Sequence, residues 1–435
     1  MWLLYQIAFG IVLVLAAPVL LLRKGSHYWA TLSGRLGGFS DTTGGAIPRG
    51  ALWMHAVSVG EAGVAATLAR ALPAVPLLLT TITPTGQARA KVVVAGLPPG
   101  SAATYLPFDF GFAVRRFFGR FAPAALVLVE GDLWPLVLRS AKRQGLPIVV
   151  VNGRLSDRGF ARMRRLRPFL LPLLGRVDRF AVQGPVDRDR LVSLGVDSAR
   201  ITITGNLKYE TPEPRIDEGL ERRLMDLAAG RPVLLAGSTM PGEEEQVLDG
   251  FAALGGGARA MLVLAPRHPE RFGAVSAMLE SRSISFLRRS RVAAGAPAQA
   301  GSPPALVLLD SVGDLAGLYR IAAAAFVGGT LSPTGGHNPL EPARFAVPVA
   351  VGPSMFNFRE MAEHFDRAHA WQRVRDGGEL GRVWQGWLSD PLAARALGER
   401  GAALLLAHRG ALARTIEFLQ PVLAAVDAAR PAEVS

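Results

Sequence analysis

Carboxylates recur in this chain at places where α/β proteins do chemistry. Ser58-Val59-Gly60-Glu61 follows the apolar run Leu52–Val57, and Glu130-Gly131-Asp132-Leu133-Trp134-Pro135 follows Ala125–Val129. A group just past the carboxyl end of a buried strand reaches the crevice where such sheets bind ligands. Glu61 in that position can take a proton from an attacking hydroxyl. Read alone, Glu61 is better explained as a complement to the dipole of the following helix, worth about 0.3–1 kcal/mol. For the second pair, a capping Asp132 and a salt-bridged Glu130 is the plain structural account.

Other segments offer anion chemistry. Thr83-Pro84-Thr85-Gly86 follows Leu77–Thr81 with Pro84 near the first position of a helix. Capping accounts for it without a ligand, although such a turn also offers donors to an anion. Ala265-Pro266-Arg267-His268-Pro269 places a planar guanidinium after a strand, suited to clamping a phosphate. Gly328-Gly329 lets backbone approach a ligand closely. Gly335-Gly336-His337-Asn338-Pro339-Leu340-Glu341 leads into a helix start whose free N–H groups suit a phosphate, with Glu341 placed to accept from ribose hydroxyls.

The elements that must position these residues are short apolar runs alternating with Ala/Leu/Arg-rich helical stretches. Leu52–Val57, Leu77–Thr81, Ala125–Val129, Pro147–Asn152 and Arg179–Gln183 form one series of strands. Val233–Gly237, Met261–Ala265, Ala305–Leu309, Ala324–Gly328 and Pro348–Gly352 form a second. Continuous rather than alternating apolarity marks strands of a parallel sheet buried on both faces. The fold class expected is therefore α/β, with two doubly wound, Rossmann-like domains. The polar, proline-interrupted stretch Glu210–Asp217 divides them, and residues 293–304, AAGAPAQAGSPP, read as a low-complexity loop. The boundaries expected are an N-terminal segment at 1–25, a first domain at 26–213, a second at 214–424 and a tail at 425–435.

Composition narrows the chemistry further. Of 435 residues 50% are hydrophobic and 19% charged, which excludes a disordered chain. The absence of cysteine removes disulfides, thiolate nucleophiles and Cys-based zinc sites, and the seven histidines never fall in HExxH or HxxxH spacing. Lys and Arg number 48 against 35 Asp and Glu, and Arg139 to Arg190 alone holds 13 basic and 4 acidic residues. Such an excess points to a polyanionic partner. A non-catalytic nucleic-acid or membrane-surface binding protein would share this charge, but leaves the strand-end carboxylates and glycines without a role. With 7% aromatic residues the chain also lacks stacking platforms, so no nucleic acid is expected.

Residues 1–22, MWLLYQIAFGIVLVLAAPVLLL, carry no charged side chain and are followed by Arg23 and Lys24, then Tyr28 and Trp29. About 20 apolar residues span the roughly 30 Å hydrocarbon core. No basic residue precedes the stretch, and Ala16-Ala17-Pro18 is a poor cleavage site. A single uncleaved membrane anchor is expected, with the rest of the chain on the cytoplasmic side by the positive-inside rule. A helix lying in one leaflet or packed on the globular part is the alternative. Phe160–Leu174, mixing arginines with large apolar residues, fits contact with an anionic membrane surface, or else an ordinary core-packed helix.

Nine ordered motifs carry a family resemblance: SVGE (58–61), TxTPTG (81–86), YLPFD (105–109), ExxLWP (130–135), NGRLS (152–156), GNLK (205–208), GSTxxGEE (237–244), APRHPER (265–271) and GGHNPLEP (335–342). Together they resemble the 3-deoxy-D-manno-octulosonic acid (Kdo) transferase family over nearly the whole chain. The resemblance implies a GT-B fold, with the two domains facing across a cleft, and transfer of Kdo from CMP-Kdo to a lipid A precursor (lipid IVA) in lipopolysaccharide synthesis at the bacterial inner membrane. It implies that Glu61 is the general base and that Glu130 and Lys208 stabilise the transition state. Pro266 and Arg267, Val312, Gly313 and Asp314, and Asn338, Pro339, Leu340 and Glu341 match its CMP contacts. The chain departs from the pattern at Val312-Gly313-Asp314, where Met-Gly-Glu is usual, at Met240 for His, and at Gly131 for Thr. No cofactor or metal is implied. A GT-B transferase using a UDP-sugar on another lipid acceptor is the alternative within enzymes.

Overall fold

The computed structural model describes residues 2–24, 31–39, 42–44, 49–72, 75–210, 214–293 and 303–429. Two compact units emerge: residues 1–210 with 408–435, and residues 211–407. The first holds an eight-stranded sheet. Its strands are β1 (Thr43–Gly44), β2 (Leu52–His55), β3 (Leu77–Thr81), β4 (Ala102–Tyr105), β5 (Ala125–Val129), β6 (Ile148–Gly153), β7 (Arg179–Val182) and β8 (Ile201–Ile203). They lie in the order β1-β4-β3-β2-β5-β6-β7-β8, all parallel except β1. The second unit holds β9 (Val233–Thr239), β10 (Met261–Pro266), β11 (Phe286–Arg288), β12 (Leu306–Leu308), β13 (Ala324–Val327), β14 (Val349–Val351) and β15 (Gln372–Arg373). Their order is β11-β12-β10-β9-β13-β14-β15, parallel throughout.

All ten strands expected from the apolar runs form. The additional ones include the four at the sheet edges, β1, β8, β11 and β15. β8, β11 and β15 are two or three residues long and only partly buried, so they lack the continuous apolar signature of strands covered on both faces. In the central strands alternate residues serve two cores. Leu52, Met54, Val127 and Val129 face one side of the first sheet, while Trp53, Leu126 and Leu128 face the other. The second sheet repeats this, with Leu234 and Ala236 opposite Val233 and Leu235.

The domain boundaries differ from expectation at the carboxyl end. Residue 425 begins no new segment and the second domain does not reach 424: a helix runs Ala411–Ala429, and it belongs to the first unit. Its Phe418, Leu419, Val422, Leu423 and Val426 join the core formed by β2, β3, β5 and the helix Val59–Ala71. An apolar stripe on a helix shows that it packs, not which sheet receives it. Within the linker, residues 211–213 lie outside the described residues, as do 294–302 of the low-complexity loop.

The N-terminal segment forms the expected helix, Trp2–Lys24, but an independent membrane-spanning anchor is not supported. Among the described residues no helix is long and apolar enough to cross a membrane. One face of this helix instead packs on the first domain. The Tyr5 hydroxyl donates to Asp109 Oδ2 at 2.8 Å, and Gln6 Oε1 accepts from Gly111 N at 2.8 Å. Phe9 meets Phe110 and Trp134 edge-on, and Arg139 and Arg176 lie over the Trp2 ring. Tyr28 and Trp29 and the side chains of Arg23 and Lys24 lie outside the described part.

Asp109, the last residue of the YLPFD motif, is the hook for this helix. It is fully buried and also accepts from Leu136 N (2.9 Å) and Val137 N (3.0 Å) at the start of the helix Pro135–Arg143. Burial pushes its carboxyl up from the usual range, and these three bonds pull against that. Asp109→Ala leaves three buried donors unpaired, so it should destabilise the first domain by about 2–4 kcal/mol, read as a lower midpoint in urea unfolding. Tyr5→Phe removes one bond only. It should cost about 1 kcal/mol, with faster amide exchange confined to the N-terminal helix.

Candidate active site

In the first sheet the winding reverses between β2 and β5, which are hydrogen-bonded neighbours. That reversal leaves a crevice at the carboxyl ends of the two strands. Glu61 enters it from the turn after β2. Ser58 caps the helix Val59–Ala71 and its hydroxyl donates to Glu61 Oε1 at 2.8 Å, while Val57 N donates to Oε2 at 2.8 Å. This is the capping box of a Ser-x-x-Glu sequence, with the Glu reaching one residue further back than usual. The helix-end account of Glu61 therefore holds, and the carboxyl is set apart by its environment as well. Burial raises its pKa from 4.5 to about 7; the Val57 and Ser58 bonds oppose the rise, and the negative charges of Glu130 and Asp132 add to it. A carboxyl poised there exchanges protons readily near neutral pH.

Glu130 enters the crevice from β5. Both Glu130 (φ 62°) and Gly131 (φ 108°) have left-handed backbone. A threonine in place of Gly131 would be strained there, which gives the departure from the family pattern a local reason. Lys208 Nζ lies 2.6 Å from Glu130 Oε1, and Asn152 Nδ2 donates to the same oxygen at 3.3 Å. Asn152 Oδ1 in turn accepts from Leu207 N at 2.8 Å, which fixes the short turn carrying Lys208. Asn152 is thus a positioning residue not singled out from the sequence, where it stands only within the NGRLS motif. Its left-handed φ of 55° at the end of β6 and the Asn-Gly pair are the local signal.

Glu61, Glu130 and Asp132 line one cavity of about 270 Å³, together with Arg154, Ser156 and Arg162. Burial, and then the neighbouring Glu130, raise the Asp132 pKa. Phe160–Leu174, read as a membrane-contact segment, forms two helices, Asp157–Arg165 and Arg167–Leu174. Arg162 and Met163 from the first of these face this cavity. Phe169 is fully in the open at 75% exposure.

The second sheet reverses between β9 and β13. Glu243 and Glu244, after β9, are buried. Glu243 accepts from Met240 N (2.9 Å), Gly329 N (2.6 Å), Leu331 N (2.8 Å) and Ser332 N (3.1 Å), so it holds the loop after β13 in place. Gly329 there has φ 70°, and an added Cβ would meet the His337 ring at 2.9 Å. Glu244 accepts from Thr239 Oγ1 and is paired with Arg271 at 2.5 Å. Of these two glutamates, Glu243 fastens the loop and Glu244 anchors Arg271 to the end of β9.

Around this loop the expected nucleotide residues fall into two groups. Pro266 ends β10 and is buried, while Arg267 beside it is exposed and its N–H donates to Thr239 O at 3.0 Å. Burial, then the charges of Arg267 and His268, lower the His337 pKa to about 4, so its ring is neutral near pH 7. Burial raises Glu341 and the Arg267 charge lowers it, which places these three side chains in one electrostatic environment. Asn338 Oδ1 accepts from Leu340 N at 3.1 Å, and Pro339 precedes the short helix Leu340–Ala343. The second group is Val312, Gly313 and Asp314, after β12. Val312 is 76% exposed, but Asp314 is buried, with Arg289 Nε at 2.8 Å and Ser311 Oγ at 2.6 Å. Its carboxylate is already committed within the protein. Among the described residues no three His, Asp or Glu side chains are grouped to hold a metal ion.

A family model described as 3-deoxy-D-manno-octulosonic-acid transferase (kdotransferase) matches residues 30–211. The 3-deoxy-D-manno-octulosonic acid transferase of Haemophilus influenzae is 32% identical over 421 residues, covering 94% of this chain and 96% of that protein. The Bordetella pertussis protein of the same name is 34% identical over 383 residues, covering 85% and 86%. Among solved structures, the C-terminal CMP-Kdo binding domain of WaaA from Acinetobacter baumannii is 31% identical, covering 43% of this chain and 98% of that one, with a TM-score of 0.38.

Replacing Glu243 by Gln tests the fastening role. An amide nitrogen would face two of the four N–H donors, so the second domain should lose about 2–4 kcal/mol. The measurement is its unfolding midpoint in urea.

Proposed function

The chain belongs to the 3-deoxy-D-manno-octulosonic acid transferase family and is a glycosyltransferase, and on that footing we propose that it moves Kdo from CMP-Kdo to a lipid A precursor such as lipid IVA. In this reading the fold is GT-B, with the acceptor on the first domain and the CMP-sugar on the second. The observation that carries it is the crevice between β2 and β5, where a carboxyl poised near neutral pH stands beside a carboxylate paired with lysine.

The proposed reaction is an inverting displacement. An acceptor sugar hydroxyl attacks the anomeric carbon of Kdo as the bond to the CMP phosphate oxygen breaks. Glu61 takes the hydroxyl proton, and CMP leaves with the bonding electron pair. Glu130 and Lys208 stabilise the positive and negative charge that develop along the way. Arg267 meets the phosphate, and the start of the helix Leu340–Ala343, with Asn338 and Glu341, holds the nucleoside. Asp314 contributes by fixing the Val312-Gly313 turn through Arg289, so its contact with CMP comes through backbone. Arg154 and Arg162 face the anionic groups of the acceptor. No step needs a metal.

The test is transfer from CMP-Kdo, generated in situ, to a tetra-acylated lipid A precursor with EDTA present, product masses being read directly. Wild type should transfer, and Glu61→Gln should lose about 10²–10⁴-fold in kcat, the usual contribution of a general base. Glu61 works only when deprotonated. Activity should therefore rise with pH through about 7 and level off above it, with the rise absent in the residual activity of Glu61→Gln. Lys208→Met should lower kcat more than it raises KM. Tighter binding of UDP than CMP, or transfer that survives Glu61→Gln, would overturn the donor or the base respectively.

A further inference from the structure

A second cavity, of about 240 Å³, lies in the first domain next to the Glu61 crevice. Phe9 and Leu13 of the N-terminal helix form one wall; Leu106, Phe108 and Trp134 form much of the rest. The two cavities share backbone: Leu133 lines one and Trp134 the other. Thr83, at the second cavity, donates from N and Oγ1 to Val57 O, and Val57 N holds Glu61. Whatever occupies this cavity therefore sits one residue away from a group in the catalytic crevice.

Its chemistry is apolar. The charged member of the lining, Arg35, is buried, lies over the Tyr105 and Phe108 rings at 4.6 and 5.6 Å, and donates to Ile82 O. The volume falls below the range of roughly 300–1,000 Å³ that takes compact drug-sized ligands, so a single thin chain fits better than a ring system. The Trp134 indole N–H is buried without a hydrogen-bond partner among the described residues. The amide or ester carbonyl at the head of a fatty acyl chain is an acceptor that such a donor calls for.

The helix that walls the cavity also carries an exposed apolar surface. The side of the N-terminal helix turned away from the domain exposes Leu3, Leu4, Ile7, Ile11, Val12 and Leu15, each between 51 and 71%. A contiguous exposed apolar face of this kind marks contact with lipid or another apolar partner. Leu13 stands between Val12 on that face and the cavity it lines. Starting from the lipid acceptor of the proposed function, we propose that this cavity binds one fatty acyl chain of that acceptor, and that the N-terminal helix is the wall that admits it. The headgroup sugar then reaches Glu61 while the chain remains in an apolar environment.

The experiment uses the full chain in phospholipid–detergent mixed micelles and two acceptors with the same glycan, one tetra-acylated and one stripped of its acyl chains. Wild type should prefer the acylated acceptor in kcat/KM. Leu13→Trp, which fills the cavity from a half-exposed helix position, should lower that preference about tenfold, mainly through KM. Phe9→Ala, which widens the cavity, should shift the preference toward longer chains. A preference that neither variant changes, or rates that fall equally on both acceptors, would overturn the proposal. Binding is read separately: a fatty acid brominated in mid-chain should quench a component of the tryptophan fluorescence that is missing in Trp134→Phe. If wild type transfers to neither acceptor, the proposed function fails. Trp134-dependent quenching would then still uphold acyl-chain binding, and its absence would overturn that too.

Discussion

The pairing of β2 with β5 is the constraint on which the first-domain site depends. The chain lays β3 and β4 on one side of β2, then returns to place β5 on the other. Right-handed crossovers send the connections from these two neighbours to opposite faces of the sheet, so their turns part and leave an opening between them. Glu61 and Glu130 reach that opening because each is the first acidic residue past its strand. The second domain obeys the same rule with β9 between β10 and β13, which places Arg267 and the Gly328-Gly329-Thr330 loop at one sheet end. The opening in each domain thus follows from its own strand order before any side chain is considered.

Environment then divides the labour among identical side chains. Glu61 is poorly solvated and near two other carboxylates, so it holds its proton up to about pH 7. Glu130, one strand away, is paired with Lys208 at 2.6 Å and accepts from the Asn152 amide. Glu243 is still more buried, but four N–H groups converge on it and it acts as a structural clasp. Three glutamates thus become a carboxyl that keeps its proton to near neutral pH, half of an ion pair and a loop fastener. What separates them is the number and charge of the donors that the fold brings to each.

The N-terminal helix shows how a hydropathy signal can be right about substance and wrong about placement. Its residues 1–22 carry no charged side chain, as the sequence shows. Yet Tyr5 and Gln6, the polar atoms within the apolar stretch, meet Asp109 and Gly111 N, and those two bonds select the face that packs. The remaining face stays apolar and exposed. The result is a helix docked on one side and bare on the other.

By itself the sequence determined two α/β domains, because strands buried on both faces must be apolar throughout, and all ten such runs became strands. It also determined which residue types stand at the strand ends, and so the chemistry on offer. It left the edge strands invisible, since a strand covered on few sides carries no continuous apolar run. It assigned the last helix to the wrong domain, since an amphipathic stripe does not name its partner. Only the tertiary structure decided that Asn152 joins Glu130 to the Lys208 turn and that Arg162 faces the Glu61 cavity. The same holds for Asp314, whose carboxylate is already taken by Arg289. Those outcomes depend on contacts between residues far apart in the chain, where residue type limits what is chemically possible and strand order alone sets what is near.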